Sequence, residues 1–266
     1  MPGGTVLMPM ATASSSPGRL AEDRARRWWG TRRRVGSIER AAAFIQDVGF
    51  ALLFPARGVE LPSLLAVVAD RPVEEVEWGP ESELVWGWKD ELPRRGLAWY
   101  GRFLRGRPSL LAPSLLADLY PRSGRPDDFL RQAGLSSEAR RIAEVVLVSG
   151  PSSTATLRVE LGVAGKRDQA RFGQALTELG RAMVITHFGT EARETGWPAA
   201  VLELTARVFP VGGPRRERDA ARLRAATRFL DTMVSAQARE LAGAFGWSMA
   251  ESKRALEALA ADRPAG

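Results

Sequence analysis

Residues 136–188 read SSEARRIAEVVLVSGPSSTATLRVELGVAGKRDQARFGQALTELGRAMVITHF. Three segments have helical patterns, opened or closed by capping residues such as Ser136 and Gly150. Two apolar runs with strand composition follow, separated by a polar stretch rich in turn residues. The helical segments and strand runs are, in order, 137–148, 154–161, about 166–179, 183–188 and 197–209. Because this is the order of a winged helix-turn-helix, we expect such a domain over 136–210.

The third helix of this stretch has two chemically different faces. At about 100° per residue, one face carries Gln169, Phe172, Ala175, Leu176 and Leu179. The opposite face carries Arg167, Arg171, Gln174, Glu178 and Arg181. Arginine and glutamine side chains can bond base edges in a major groove or grip phosphates. The predicted DNA-binding residues of this helix are Lys166, Arg167, Arg171, Gln174 and Arg181.

The alternative for this face is the solvated side of an ordinary core helix. Glu178 sits among the arginines, and the following loop carries Glu191 and Glu194 against Arg193. A wing that lies on phosphates should be more basic than this loop. The pattern therefore favours the architecture over DNA binding by this particular helix.

Composition excludes several kinds of site. The 266 residues include no cysteine, which removes disulfides, thiol catalysis and cysteine metal sites. The single histidine, His187, argues against His-rich metal sites and against a histidine-based triad. No apolar run reaches about 18 residues, and no secretory signal pattern opens the chain. We therefore expect a cytoplasmic protein with no membrane, metal or cofactor partner.

The positive charge is concentrated at the start of the chain. Residues 1–40 hold eight arginines against three acidic residues, so most of the net charge of +7 lies there. Residues 1–36 are also rich in Gly, Ser and Pro, and they are expected to form a disordered basic tail. Trp28 and Trp29, among the arginines, could bind nucleic acid by stacking, or the segment could be a flexible leader.

Two further regions are predicted around the winged unit. Residues 37–130 are expected to form a helical, winged-helix-like domain with an aromatic-rich segment, and a linker-like stretch at 121–127 marks a boundary near its end. Within it, Trp88 and Lys89 could line a groove for a base. The alternative is that the aromatic residues Trp86, Trp88, Trp99 and Phe103 are core residues. Residues 215–262 are expected to be helical, with a helix-turn-helix outline.

Three stretches carry a family resemblance: ERAAAFIQDVGF at 39–50, WKDELP at 88–93, and the winged unit. Over about residues 37–260 the chain resembles the AlkZ/YcaQ-related winged-helix proteins of bacteria. The resemblance implies a mainly α fold with small β-hairpins (α+β), built of tandem winged helix-turn-helix units around a concave surface for double-stranded DNA. It also implies DNA repair, because the characterised members are DNA glycosylases that remove bulky alkylated bases or unhook crosslinks.

The family signature is glutamine, an apolar residue, then glutamine or aspartate, and this chain departs from it. The nearest matches are Phe44-Ile45-Gln46 and Gln46-Asp47-Val48, and neither is intact. Gln46 and Asp47 are the candidate catalytic residues, because an amide or carboxylate can hold a water or stabilise the sugar cation as a base departs. Asp47 could equally be a surface residue at a helix end. A non-catalytic transcriptional regulator or interaction module on the same scaffold is the alternative function.

Overall fold

The computed structural model describes residues 17–30, 35–69, 77–213 and 217–261. These residues form a mainly helical α+β fold with two small antiparallel sheets. The helices are α1 (Pro17–Arg27), α2 (Ile38–Val48), α3 (Leu64–Ala69), α4 (Pro80–Arg94), α5 (Pro113–Leu119), α6 (Ser137–Ser149), α7 (Thr154–Glu160), α8 (Gly165–Arg181), α9 (Thr205–Val208), α10 (Arg218–Met233), α11 (Ala238–Phe245) and α12 (Met249–Ala261). The strands are β1 (Phe50–Leu52), β2 (Trp99–Arg102), β3 (Pro108–Leu111), β4 (Ser152–Ser153), β5 (Ile185–Glu191) and β6 (Ala199–Leu204).

The first sheet and the helices around it share one hydrophobic core with the C-terminal helices. β3 lies between β1 and β2, and Leu111 pairs with Phe50 on one side and Trp99 on the other. The ring of Phe50 stacks on Phe229 of α10 at 5.5 Å and meets the edge of Phe245 of α11 at 5.9 Å. The buried side chains of α10 and α11 therefore complete the core that the first sheet begins.

The second sheet belongs to a separate core formed by residues 129–204. The elements follow the order α6, β4, α7, α8, β5, β6, and β6 pairs with β4 and β5 in antiparallel register. Ser136 caps α6, and Gly150 ends it with φ +80°, as the sequence predicts. Within these elements the sheet has a register shift between His187 and Gly189.

Helix α8 follows the predicted pattern with one correction. Phe172, Ala175 and Leu179 are buried in the second core, and Leu176 is half-buried. Gln169, expected on the same face, is exposed and accepts a hydrogen bond from Arg158 Nε at 2.9 Å. A polar amide can satisfy its bonding at the edge of the face, whereas core burial would cost it water contacts.

Residues 17–27 are helical rather than part of a disordered tail. Arg24 on α1 is buried and donates hydrogen bonds to the backbone oxygens of Met233 and Ser235, both at 2.9 Å. The indole N–H of Trp28 donates to Thr232 O at 2.7 Å. Carbonyls at a helix C-terminus lack partners within the helix, so α1 docks by supplying donors to the end of α10. The rest of the expected tail, residues 1–16 and 31–34, lies outside the described residues.

None of the helices in the described part of the chain is both long and apolar enough to cross a membrane.

Candidate nucleic-acid interface

Gln46 and Asp47 lie in the last turn of α2, and both are exposed. The helix ends at Gly49, whose φ of +82° favours glycine, and whose N–H donates to Ile45 O at 2.7 Å. A Cβ at Gly49 would approach within 2.6 Å of Arg228 Cγ, so the α2 end packs directly on α10. The amide of Gln46 donates to Ser114 Oγ on α5 at 3.2 Å. An exposed amide and an exposed carboxylate therefore occupy consecutive positions at this helix end, the amide bonded to α5.

The end of α1 and the turn that follows it supply the partners of the Asp47 carboxylate. Trp29 Nε1 and Arg27 Nη1 both donate to Asp47 Oδ2, at 2.6 and 3.2 Å. Arg27 Nη2 and Arg228 Nη1 donate to its backbone oxygen, at 2.7 and 3.0 Å. The Asp47 side chain remains 46% exposed. The carboxylate is thus oriented and paired, yet still open to solvent.

Helix α8 presents its cations outward. The predicted DNA-binding residues on this helix are all exposed: Lys166, Arg167, Arg171, Gln174 and Arg181. Glu178, which the sequence places among the arginines, is half-buried and accepts hydrogen bonds from Ser136 N at 2.6 Å and Ser136 Oγ at 2.7 Å. Its carboxylate serves the start of α6, so it forms no ion pair with a described arginine of α8.

Trp88 and Lys89 are both buried, but only Lys89 lines the cavity described below. Trp88 packs in the first core, so its indole lines no groove and the core alternative holds for it. The Lys89 side chain is also buried, yet it borders a cavity, where its Nζ pairs with Asp90 Oδ2 and lies 4.4 Å from the ring centroid of Trp86. Only one of these two neighbours is therefore placed to meet a ligand.

This cavity, of about 540 Å³, lies between α4, β2, α8 and the β5–β6 hairpin. Its aromatic walls are Trp86, Tyr100, His187 and Trp197, and its cationic residues are Lys89 and Arg102. Threonines, glycines, prolines and aliphatic residues complete it, and none of its described lining residues is acidic. Gln46 and Asp47 are not among them, so the candidate catalytic residues lie outside the lining of this cavity.

Asp90 holds the polar wall of the cavity together. One carboxylate oxygen pairs with Lys89 Nζ, and the other lies 3.2 Å from His187 Nδ1. The ring of Tyr100 meets His187 edge-on, with centroids 4.7 Å apart. Burial lowers the pKa of His187 from its usual value of 6.5, while Asp90 acts in the opposite direction. Burial and the charge of Asp90 raise the pKa of Tyr100. Both rings are therefore neutral at pH 7.

Exposed tryptophans gather beside the cavity. Trp197, in the loop before β6, is 71% exposed, and its ring centroid lies 6.5 Å from that of Trp86 and 6.2 Å from that of Trp78. Sequence reasoning missed Asp90, Arg102, His187 and Trp197 as site residues. The available signal in the sequence is the single histidine, which by itself argues only against His-rich metal sites and histidine-based triads.

Comparisons with known proteins agree on one relationship. A family model described as AlkZ related matches residues 35–246, a segment that begins after α1. Among solved structures, the DNA glycosylase AlkZ of Streptomyces sahachiroi has a similar fold, with a TM-score of 0.54 at 15% sequence identity. The match covers 89% of this chain and 63% of the glycosylase, so the chain spans less than two thirds of that protein. No curated protein sequence matches the chain.

Proposed function

Because the chain belongs to the AlkZ-related family, we propose that it binds double-stranded DNA and recognises or excises alkylated bases. The family and its fold support a role related to DNA repair. The element order α6, β4, α7, α8, β5, β6 supports a winged helix-turn-helix unit in which α8 is the recognition helix. A second such unit is proposed for the region of the first sheet, in tandem with it.

The observation that carries this proposal is the exposed cationic face of α8. Lys166, Arg167, Arg171 and Arg181 are exposed on one helix, and none of them forms an ion pair with a described residue. A major groove can admit an α-helix. Unpaired cations on such a helix can neutralise phosphates and release condensed counterions. DNA binding through this face is therefore expected to weaken as salt rises.

The test is the salt dependence of binding to a labelled DNA duplex, followed by fluorescence anisotropy. Replacing Arg167 and Arg171 by glutamine should lower the slope of log K against log salt by about 2, because each lost phosphate contact removes about 0.9. The matched control replaces Arg218 and Arg239, exposed arginines of α10 and α11, by glutamine. Equal slopes for both double variants would exclude α8 as the DNA-binding face.

Base excision is proposed to use Gln46 and Asp47. A glycosylase must stabilise positive charge on the sugar and position a water as the base leaves, and an exposed amide beside a carboxylate can do both. Base release from DNA carrying alkylated purines should fall in Gln46→Ala and Asp47→Asn while duplex binding persists. Release equal to that of the wild type in both variants would remove these residues from the chemistry.

A non-catalytic regulator on the same scaffold is the second candidate. It is favoured by the bonds that Arg27 and Trp29 make to the Asp47 carboxylate, because both donors occupy Oδ2, an oxygen that could otherwise hold a water. It is also favoured by the broken signature around Gln46. Salt-sensitive duplex binding without any base release from alkylated DNA would support this second function over excision.

A further inference from the structure

We propose that the cavity between α4, β2, α8 and the β5–β6 hairpin binds one nucleotide. The base would lie inside against the aromatic walls, and the phosphate would lie at the mouth beside Arg102. This inference deepens the proposed function, and it rests on that function where the nucleotide belongs to a DNA strand. The nucleotide is either an unpaired residue of a DNA strand or a free mononucleotide, and the experiment below separates them.

The size and the walls of the cavity suit a flat heterocycle. Its volume of about 540 Å³ lies within the range of roughly 300–1,000 Å³ that is usual for small-molecule sites. Trp86 and Trp197 meet at an interplanar angle of 72°, so they form a corner rather than a closed stack. Phe54 and Lys89 lie against the Trp86 ring, so Trp197 offers the more open face. Aromatic faces bind any base by stacking, without selecting its sequence.

The charges of the cavity differ between its depth and its mouth. Lys89 is buried and already paired with Asp90, so it offers little free charge to a ligand. Arg102 is exposed and forms no ion pair with any residue that the structure describes. The cavity thus has the rings of Tyr100 and His187 in its depth, and near solvent it has exposed indoles beside a free guanidinium, which suit the base and the phosphate of a nucleotide.

Polar groups in the interior can meet the edge of a base. Asp90 Oδ1 accepts a hydrogen bond from His187 Nδ1–H, which leaves Nε2 of the neutral imidazole as an acceptor. The Tyr100 hydroxyl keeps its proton, since its pKa is raised, and it can donate. An acceptor and a donor on adjacent rings complement the mixed donor and acceptor edge that every base presents.

The position of α8 connects the cavity to the cationic face described above. Gly173, Leu176 and Thr177 line the cavity from this helix, and Gln174 and Arg171 stand on its exposed side. A Cβ at Gly173 would meet nothing within 4 Å, so the helix leaves open space there. A strand gripped by the cations of α8 could therefore present an unpaired nucleotide to the cavity.

The experiment compares a fully paired DNA duplex, the same duplex with a single bulged nucleotide, and dGMP. If the nucleotide belongs to a strand, the bulged duplex should bind about tenfold tighter than the paired one, in line with the stacking of one base. Arg102→Gln and Trp197→Ala should each bring this ratio close to one. If the nucleotide is free, dGMP should bind by calorimetry, and Arg102→Gln should weaken its binding about tenfold.

Matched controls come from side chains outside the cavity lining. Trp78→Ala removes a half-exposed indole of the same cluster, and Arg218→Gln removes one positive charge from α10. Both should keep the bulge preference and the dGMP affinity of the wild type. Circular dichroism on the Arg102 and Trp197 variants checks their fold, which is expected to persist because both side chains are exposed.

The outcomes separate the cavity from the proposed function. If the paired duplex binds in a salt-sensitive manner but neither bulge preference nor dGMP binding occurs, the cavity inference is overturned and duplex binding stands. A bulge preference that survives both cavity variants also overturns it. If dGMP binds through Arg102 while no duplex binds, the cavity inference stands and the proposed DNA-binding function fails.

Discussion

Two aspartates, Asp47 on α2 and Asp90 on α4, show how differently the fold uses one residue type. The Asp47 side chain is 46% exposed, and its partners Arg27 and Trp29 lie at the end of α1 and in the turn after it, outside the segment that the family model matches. The Asp90 side chain is 15% exposed, and its partners are the buried Lys89 and His187 of β5. Asp47 thus bonds to a segment outside the family match, whereas Asp90 connects the two hydrophobic cores.

The difference in exposure sets what each carboxylate can do. Exposed ion pairs contribute roughly 0–1 kcal/mol, because water and salt screen them and their side chains lose entropy. Removing one partner of a buried pair leaves an uncompensated charge and costs far more. Asp47 is therefore available for chemistry at little cost to stability, while Asp90 stabilises the wall of the cavity.

The largest expected effect is the loss of stability on removing Asp90. Asp90→Ala leaves Lys89 as an unpaired buried ammonium and should lower the free energy of unfolding by about 3–5 kcal/mol. Asp47→Ala should lower it by about 1 kcal/mol, because Arg27 keeps its ion pair with Asp231 at 2.7 Å. Urea unfolding measures both values. Equal losses would show that exposure does not distinguish the two sites.

A smaller loss of stability is expected as the pH falls, and it arises from His187, the partner of Asp90. Because the folded-state pKa of His187 is lowered below 6.5, the unfolded chain binds more protons as the pH falls through that value. Stability should therefore decrease from pH 7 to pH 5.5, by at most about 1.4 kcal/mol per pH unit for this group. The carboxylate of Asp90 opposes this lowering of the His187 pKa, whereas the positive charges of Lys89 and Arg102 add to the lowering that burial causes.

Urea unfolding at several pH values, with His187→Gln as the control, isolates this contribution. The variant cannot protonate at that position, so its stability should depend less on pH than that of the wild type over the same window. Asp47→Ala should retain the wild-type dependence, since Asp47 does not contact His187. A wild-type curve that rises as the pH falls, or one parallel to the His187 variant, would contradict the prediction.

Local features of the fold and contacts between distant residues differ in how far the sequence predicts them. The buried positions Phe172, Ala175 and Leu179 of α8 could be predicted, because their spacing reflects local helix geometry. The cap at Ser136 and the stop at Gly150 are equally local. The resemblance to the AlkZ-related family, which rested on short stretches of sequence, is confirmed by the family match.

What the sequence could not provide are contacts between distant residues. Arg24 binds backbone oxygens that lie 209 and 211 positions away, and its arginine-rich surroundings have the composition of a solvated tail. His187 and Asp90 are 97 positions apart, on elements whose pairing no periodicity predicts. Gln46 and Asp47 as catalytic residues, and α8 as the DNA-binding helix, stay predictions that the structure makes testable.

The smallest expected effect concerns the hydrogen bond that Trp29, in the turn after α1, donates to Asp47. Trp29→Phe removes the indole N–H that donates to Asp47 Oδ2 but keeps an aromatic ring against Phe44, whose centroid lies 5.5 Å away. The loss should be about 1 kcal/mol, since the acceptor is charged but half-exposed. A double-mutant cycle with Asp47→Ala should recover most of this loss as coupling energy.

The neighbouring indole provides the matched control for this cycle. Trp28 donates to the backbone oxygen of Thr232, so Trp28→Phe should destabilise the fold without coupling to Asp47→Ala. If Trp29→Phe also shows no coupling, Arg27 alone holds the carboxylate. If the coupling is present, the end of α1 and the turn after it orient Asp47 through two donors, Arg27 and Trp29. A segment outside the family match would then control the carboxylate that the proposed excision chemistry needs.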